Sequence, residues 1–339
     1  LQGNNGRGLE AEVVLEGYVS FNNYQDEGPF GDHFGHYSAA ADHPVFEISR
    51  MTHRKNAIFP ATVVGRPPQE DRYLGDAAQL ALTPLMRIIR KEVKDMWAYY
   101  EAGFHNLLVV SVDPRYQREP IKTALGLLGE GQLSLTKNLV LVGPDVNPRN
   151  YSQVMQAIRR NFDPEQNFHL IARTAADTLD FTGEALHKGS KMILDATGPI
   201  GEGTPTAVAL PANISAIAPG IGKHRLVGKT MLVVQTGGDG RNIIQKLVDN
   251  PLLGSVKIVV AVSDDVDIDD DENLIWGIFT RFDAVLDVMF SRTEFRGLAP
   301  VYSGVLGIDA TWKQGYQKPL VMDPDVVKKV DAKWSRYWK

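Results

Sequence analysis

The 339-residue sequence contains no cysteine, which excludes disulfide bonds and thiolate metal sites. It has no apolar run near the ~18 residues that a membrane-spanning helix needs, and its start lacks the basic segment and apolar core of a signal peptide. Its 36 basic residues are outnumbered by 41 acidic ones, so the basic surface of a nucleic-acid-binding protein is not expected. These absences favour a cytoplasmic protein with a small-molecule partner, no membrane span and no nucleic-acid partner.

The most distinctive segment is residues 24–38, which we call the acid loop. Two of its carboxylates, Glu27 and Asp32, lie five residues apart among three glycines, one proline and four aromatic rings. Glycine and proline in this density predict a shaped loop rather than a strand or helix. A carboxyl group pressed against aromatic rings can deliver a proton near neutral pH, which suits acid–base catalysis. The alternative, which composition alone favours, is a surface turn whose acids are solvated.

The motif Glu27-Gly28-Pro29-Phe30-Gly31-Asp32, with residues 11–17 before it and 62–68 after it, resembles the UbiD family of decarboxylases and carboxylases. Residues 191–197 and 309–311 extend the resemblance towards the C-terminus. It implies prenylated flavin mononucleotide (prenylated FMN) as cofactor and an aromatic or α,β-unsaturated carboxylic acid as substrate. It also implies that Asp32 protonates the substrate carbon after carbon dioxide leaves, and that Glu27 is the acid paired with a catalytic arginine.

In this family the catalytic arginine, the ligands of a divalent metal (Mn or Mg) and most flavin-phosphate contacts precede the acid loop. The resemblance therefore implies that these groups, and those for any monovalent cation, lie outside this chain. They would come from an N-terminal half, on the same precursor or on a partner chain, and the absence of a methionine at Leu1 suits that expectation. We expect the carboxy-lyase to be incomplete without that half. The competing hypothesis is a non-catalytic binding or assembly subunit that kept the fold.

Residues 12–19, 45–49 and 58–64 are rich in β-branched and aromatic residues and predict three strands, with Pro60 placing the third at an edge or bulge. The resemblance implies that they are the later part of a split β-barrel of the flavin-reductase type. Residues 76–101 follow a helical period, and Pro84 is expected to kink or split that helix.

Strands and helices then alternate, which predicts a mostly parallel sheet covered by helices. The predicted strands are 107–112, 139–142 and 168–172, and the predicted helices are 119–128 and 151–162.

Segments of this unit recur further along the chain. Leu107, Lys137 and Asp195 begin segments that return at Met231, Lys257 and Asp309, with offsets of 124, 120 and 114 residues. The glycine- and proline-rich stretch after Gly198 is expected to connect the copies. We therefore predict a barrel remnant at 1–75 and two similar α/β domains at 76–200 and 201–339. The resemblance implies only one such domain, so the role of the second copy stays open.

Lys137 aligns with a family lysine that reaches the flavin, so the resemblance makes it a cofactor-binding candidate. Its counterpart Lys257 leaves open that the lysine is a feature of the fold. No metal site is predicted on this chain, because the histidines lack the spacing of a ligand set. His33 and His36 are expected to line or shield the acid loop.

Three further segments have structural interpretations. Residues 264–272 are acid-rich but fail the spacing of an EF-hand, and we interpret them as a helix N-terminus, with a loosely bound cation as the alternative. Residues 237–242 predict a tight turn rather than a phosphate loop. Asp323 and Pro324 predict a terminal helix with an apolar stripe. The resemblance implies that this helix packs on a neighbouring subunit of a homo-oligomer, and docking on its own domain is the alternative.

Overall fold

The computed structural model describes residues 11–198 and 208–338, so the first part of the predicted connection after Gly198 lies outside the described residues. Its later part, up to Gly222, contains a short 3-10 turn at Ile214–Ala216 and the start of a strand at Ile221. The first element is an antiparallel hairpin of β1 (Val13–Glu27) and β2 (Ala41–His53). β1 is longer than predicted, because Tyr24 to Glu27 pair with Pro44 to Ala41. The first four residues of the acid loop are therefore strand, which corrects the expectation of a loop there.

The predicted strand at 58–64 is wrong. Within the described chain this segment is irregular, and the sheet that contains β1 and β2 has two strands and is not a closed barrel. Pro60 cannot donate a backbone hydrogen bond, so β-branched composition alone did not make the segment part of the sheet. The hairpin is the part of the predicted barrel remnant that the structure contains.

Helix α1 (Asp71–Ile89) continues through Pro84, so the proline does not split it. The predicted helix is wrong beyond residue 90, where β3 (Val93–Ala98) pairs antiparallel with β4 (Leu108–Val112). A register shift between Val93 and Asp95 inserts one residue into β3. Because of this bulge, Val93 and Met96 are both buried at a spacing of three, which imitates a helical period.

The first α/β unit has a five-stranded sheet, in which β5 (Asn138–Val142), β6 (Phe168–Ala175) and β7 (Lys188–Ala196) join β3 and β4 in the order β3-β4-β5-β7-β6. β4, β5 and β7 are parallel, whereas the edge strands β3 and β6 run antiparallel. The predicted parallel character therefore applies to the centre of the sheet. The helices between these strands are α2 (Glu119–Leu127), α3 (Tyr151–Asn161) and α4 (Pro164–Asn167).

The second α/β unit has five strands, β8 (Ile221–Val227), β9 (Met231–Thr236), β10 (Ile258–Ser263), β11 (Val288–Arg296) and β12 (Ala299–Ala310). Their order, β8-β9-β10-β12-β11, repeats the topology of the first unit and confirms the predicted duplication. Its central strands are again parallel and its edges antiparallel. The helices between these strands are α5 (Gly240–Val248), α6 (Asp271–Phe279) and α7 (Ala284–Asp287).

The recurring Asp-Ala-Thr sequence forms the same turn in both units. At the end of β7, Asp195 Oδ1 accepts hydrogen bonds from the backbone N–H and the hydroxyl of Thr197. At the end of β12, Asp309 Oδ1 accepts the same pair from Thr311. The repeated motif therefore terminates the last parallel strand of each sheet, a structural role that accounts for its recurrence.

The two units share one apolar core. Val109 and Val140 of the first sheet lie in the same buried cluster as Val233 and Val260 of the second, together with side chains of α3 and α6. The opposite faces of the sheets form separate clusters with α2 and α5. The layers are thus α2, sheet, α3 with α6, sheet and α5. The boundaries predicted at 75 and 200 stay a prediction.

The chain ends in α8 (Pro324–Asp331) and α9 (Trp334–Tyr337), and the Asp323 side chain accepts the backbone N–H groups of Asp325 and Val326 as the predicted cap. The apolar stripe is exposed rather than packed on the described part of the chain, so docking on its own domain is not what the structure contains. The stripe consists of Val326, Val330, Trp334 and Trp338.

Of the helices within 11–198 and 208–338, none is both long and apolar enough to cross a membrane.

Candidate active site

The two predicted acids occupy different positions on the acid loop. Glu27 is the last residue of β1, pairs with Ala41 and is exposed. Asp32 lies in the turn that follows, and its side chain is 28% exposed. Asp32 Oδ1 accepts the backbone N–H of His33 at 2.8 Å and lies 3.0 Å from Nδ1 of the same residue. The carboxylate of Asp32 is therefore held in place by its own neighbour.

The second α/β unit holds the acid loop from two sides. On one side, Trp276 of α6 donates its indole N–H to the carbonyl of Phe34 at 3.0 Å. Gly35 has a φ of +71°, and a Cβ there would lie 2.4 Å from the Trp276 indole nitrogen, so a side chain does not fit. On the other side, the Tyr37 N–H donates to Lys318 O and the Leu320 N–H to Gly35 O, each at 2.9 Å.

The first α/β unit contacts the opposite part of the loop. Phe34 is buried and packs closely against Gly103, where a Cβ would lie 2.5 Å from its ring. Gln69, just before α1, donates to the carbonyls of both His33 and Tyr100. Both units therefore fix the turn that carries Asp32. The sequence gives little signal for these contacts, because Phe34 and Trp276 are 242 positions apart.

His36 is a buried, neutral histidine beneath the loop. It stacks on Trp276 with ring centroids 5.1 Å apart. Burial, with the nearby charge of Arg281, lowers the pKa of His36 to about 3. Its Nδ1 donates to Phe34 O at 2.9 Å, and its Nε2 accepts from Arg281 Nε at 3.4 Å. Both ring nitrogens are therefore used by the fold, which agrees with the expectation that His36 shields the loop.

Arg281 is fully buried and forms a two-pronged ion pair with Asp265, with both N–O distances 2.7 Å. Its guanidinium also lies 4.5 Å from the Trp276 ring centroid, and that of Arg66 lies 4.1 Å from it. Asp265 belongs to the acid-rich segment 264–272, so this acid neutralises a buried arginine. Asp270 of the same segment caps α6, as the interpretation of a helix N-terminus predicted.

His33 belongs to a cluster that was not predicted. Its ring lies 6.2 Å from that of His105, and His105 Nδ1 lies 2.5 Å from Asp177 Oδ2. Burial alone would raise the pKa of Asp177, but hydrogen bonds from His105 and the Leu179 backbone outweigh it and lower the pKa to about 2. The three residues come from separate parts of the sequence, so no local spacing could reveal them.

Lys137 is buried and already paired. Its Nζ lies 3.1 Å from Asp180 Oδ2 and donates to the Thr182 hydroxyl at 3.0 Å. Its counterpart Lys257 donates to Phe162 O at 2.9 Å, so each lysine bonds within the fold. The partners of the two lysines differ, and a role of Lys137 in cofactor binding stays a prediction.

Residues 237–242 form the tight turn between β9 and α5, with Asp239 accepting the N–H of Asn242 as the helix cap. The glycines make room for the chain at the end of the parallel strands: a Cβ on Gly240 would lie 2.3 Å from Asp309 Oδ1. The segment is thus packed against the Asp-Ala-Thr turn of β12.

Two family models match the chain. A model described as 3-octaprenyl-4-hydroxybenzoate carboxy-lyase Rift-related domain (UbiD) matches residues 8–67. A second, described as the C-terminal domain of the same carboxy-lyase (UbiD_C), matches residues 72–196 and 213–310. The first match covers the hairpin and the acid loop, and the two blocks of the second cover the two sheets.

Among curated relatives, a Chlamydia pneumoniae protein named as one subunit of a 4-hydroxybenzoate decarboxylase is 36% identical over 333 residues, covering 97% of this chain and 56% of the relative. The chain thus spans about half the length of the curated relatives it matches most fully. Among solved structures, vanillic acid decarboxylase (ShVdcCD) of Sedimentibacter hydroxybenzoicus in closed form is 30% identical with a TM-score of 0.52. This match covers 60% of this chain and 43% of that chain.

Proposed function

The chain belongs to the UbiD family of carboxy-lyases, and on that premise we propose that it is the C-terminal portion of a prenylated-FMN-dependent decarboxylase or carboxylase. Its substrate would be an aromatic or α,β-unsaturated carboxylic acid. The observation that carries this proposal is the position of Asp32, a partly exposed carboxyl group on a turn that both α/β units fix. A general acid needs such a fixed position to protonate one particular carbon.

In this proposal Asp32 is the proton donor. The bond between the carboxylate carbon and the rest of the substrate breaks, carbon dioxide leaves, and the electron pair left on the substrate takes the proton of Asp32 to form a carbon–hydrogen bond. Asp32 then regains a proton from solvent, and in the carboxylating direction it accepts the proton instead. Glu27 is the acid partner, paired with an arginine from outside this chain. When bound, the prenylated flavin supplies the electron sink for cleavage of the carbon–carbon bond.

The residues of this chain are better suited to supply the proton donor than to form the flavin pocket. Lys137 is the residue proposed to reach the flavin, but its ammonium group is buried against Asp180 and Thr182. It would have to leave these partners to bind a phosphate. We therefore assign most flavin contacts, the Mn or Mg ligands and those of any monovalent cation to the part of the enzyme that this chain does not include.

The exposed apolar surface of the hairpin and α1 is the evidence for a partner. A two-stranded ribbon is marginally stable by itself, and large exposed apolar patches mark interfaces. We propose that an N-terminal half, on the same precursor or on a partner chain, covers this surface, and that the stripe on α8 and α9 joins copies into a homo-oligomer. The C. pneumoniae relative bears the name of one component of a multi-subunit enzyme, which supports a partner. The exposed apolar side chains include Tyr18, Phe21, Ile48, Met51, Tyr73, Leu74, Ile88 and Ile89.

The test is Asp32→Asn in the complete enzyme. Asparagine keeps the shape of the side chain but carries no acidic proton, so turnover should fall by about 10²–10⁴-fold. The incorporation of solvent deuterium at the substrate carbon should fall with it, as measured by mass spectrometry. Asp26→Asn is the matched control, because Asp26 is an exposed acid on β1 beside the same turn. Deuterium incorporation at the wild-type rate in Asp32→Asn would remove Asp32 from this role.

A second candidate is a non-catalytic assembly subunit, which the internal pairing of Lys137 favours. The two functions predict different results when flavin binding and turnover are measured on the assembled complex with and without this chain. A complex that binds prenylated FMN only in the presence of this chain, and loses turnover in Asp32→Asn, supports the enzyme. Full activity of the partner without this chain would support the assembly role. Tight flavin binding by this chain alone would contradict the expectation that its site is incomplete.

A further inference from the structure

Two histidines and one acid meet beside the acid loop. One nitrogen of each imidazole of His33 and His105 and one carboxylate oxygen of Asp177 all lie within 4.8 Å of one another. Among residues 11–198 and 208–338, no other group of three or more His, Cys, Asp or Glu side chains converges so closely. We infer that His33, His105 and Asp177 form a binding site for a divalent transition-metal ion. The inference does not depend on the proposed decarboxylase function.

The donor set selects the class of ion. Imidazole nitrogen suits Zn²⁺, Fe²⁺, Co²⁺ and Ni²⁺, whereas Mg²⁺ and Ca²⁺ prefer sites made of oxygen alone. Two imidazoles and one carboxylate are the ligands of several open sites for zinc and for non-haem iron. Three protein ligands leave at least one coordination position for water or another small ligand.

The surroundings orient the ligands as metal sites require. Nδ1 of His33 faces Asp32 Oδ1 at 3.0 Å, so a metal ion would bind through Nε2. A carboxylate on the far nitrogen of a ligating histidine fixes the ring and raises its basicity. Asp177 is oriented too, because its Oδ1 accepts the backbone N–H of Leu179 at 2.9 Å while Oδ2 faces His105. Asp32 and the Leu179 backbone, which are not ligands, thus orient two of the three ligands.

The site combines a buried base with an accessible face. The Asp177 side chain is 9% exposed, and the Leu179 backbone N–H and the His105 ring hold its carboxyl group in place. The side chains of His33 and His105 are 24% and 22% exposed, so an ion can reach their free edges from solvent. The competing interpretation is a simple hydrogen bond between His105 and Asp177, with His33 as a bystander.

The test is metal binding by the protein in a form without a polyhistidine tag. Isothermal titration with Zn²⁺ should give one ion per chain, and Co²⁺ should give the visible absorption bands of a nitrogen- and oxygen-ligated ion. Mg²⁺ is the hard-cation control and should not compete. His105→Gln and Asp177→Asn should each weaken Zn²⁺ binding by more than ~10-fold, and Asp32→Asn should weaken it by about 10-fold through the orientation of His33.

His43→Gln is the matched control, because His43 is an exposed histidine on β2 and should not change the affinity. A rise of the melting temperature with Zn²⁺ in the wild type, and its loss in His105→Gln, checks the site without relying on the variants' affinity alone. Failure of the wild type to bind Zn²⁺ or Co²⁺ would overturn the inference, as would unchanged affinity in both ligand variants. Neither readout involves flavin or turnover, so the outcome is separate from that of the proposed function.

Discussion

Glu101 is a half-buried acid whose charge opposes folding. It lies in the 3-10 turn after β3, and its Oε2 is buried without a hydrogen-bond partner among the described atoms. Burial, and to a smaller extent the charge of Glu272, raises the pKa of Glu101 to about 7. In the unfolded chain the same carboxyl group ionises near its ordinary pKa of 4.5. Stability is therefore lost as the pH rises from about 4.5 to about 7, because the unfolded state releases the proton first.

Glu101→Gln should remove this pH dependence. Glutamine cannot ionise, so we expect the variant to gain up to about 3 kcal/mol of unfolding free energy at pH 8 and little at pH 4. Urea unfolding at both pH values measures the difference. Glu165→Gln is the control, since Glu165 is exposed on α4. An equal effect of Glu101→Gln at pH 4 and pH 8 would show that its charge is not the cause.

Among single residues, the sequence singled out Asp32 and Glu27 as candidates, and their catalytic roles stay predictions, but it gave no sign of the residues that surround them. Asp32 and Glu27 were recognisable because the motif that carries them is continuous. Trp276, Arg281, His105 and Asp177 were missed because they reach the acid loop through the fold, from positions more than 70 residues away. A tryptophan in a helix, or an arginine just after it, has no local feature that distinguishes support of a loop from ordinary packing.

At the scale of elements, the docking of the acid loop on α6 depends on one buried hydrogen bond, from Trp276 to Phe34 O. Trp276→Phe should keep the apolar contact but leave that carbonyl with fewer donors, costing about 1–2 kcal/mol of stability. The Gly35 and Tyr37 amides should then exchange with solvent faster, as measured by hydrogen–deuterium exchange.

Trp312→Phe is the matched control for that prediction. Trp312 also donates its indole N–H to a backbone carbonyl, that of Gln317, but at an exposed site where water can replace the bond. Its loss should cost less. If the acid-loop amides exchange at the wild-type rate in Trp276→Phe, the loop is held mainly by its bonds to residues 318–320.

Element prediction failed where a pattern had two meanings. The spacing of Val93 and Met96 suggested a helix, but a bulge in an edge strand buries the same two residues. Residues 58–64 have the composition of a strand, yet composition does not supply a partner strand. The central strands β4, β5, β9 and β10 were easier, because continuous apolar runs at the middle of a parallel sheet have few alternatives.

For the whole molecule, the shared core predicts that the two α/β units unfold together. Ile158 of α3 and Ile278 of α6 line the same apolar cavity between the sheets. Ile158→Ala and Ile278→Ala should each lower the unfolding free energy by about 2–4 kcal/mol, because each leaves a void in a packed core. Both variants should shift one common calorimetric transition. Two separate transitions, each moved by only one substitution, would contradict a shared core.

The sequence revealed the duplication but not how the copies combine. Repeated segments predict repeated strands, and the two sheets have the same order. The cores merge because each sheet has apolar residues on both faces. A buried parallel strand has this pattern whether a helix of its own unit or of the other unit covers it, so the sequence could not distinguish the two arrangements. The open role of the second copy now has an answer in contacts: α6 and residues 318–320 hold the acid loop.

The bridge between His36 and Pro319 has a consequence for biosynthesis. A ribosome makes the loop about 280 residues before the segment that clamps it, while nascent domains begin to fold in the order in which they emerge. Until residues 318–320 have been made, the turn that carries Asp32 lacks the backbone hydrogen bonds that hold Gly35 and Tyr37. A polypeptide released before residue 318 would therefore carry the acid loop without this support.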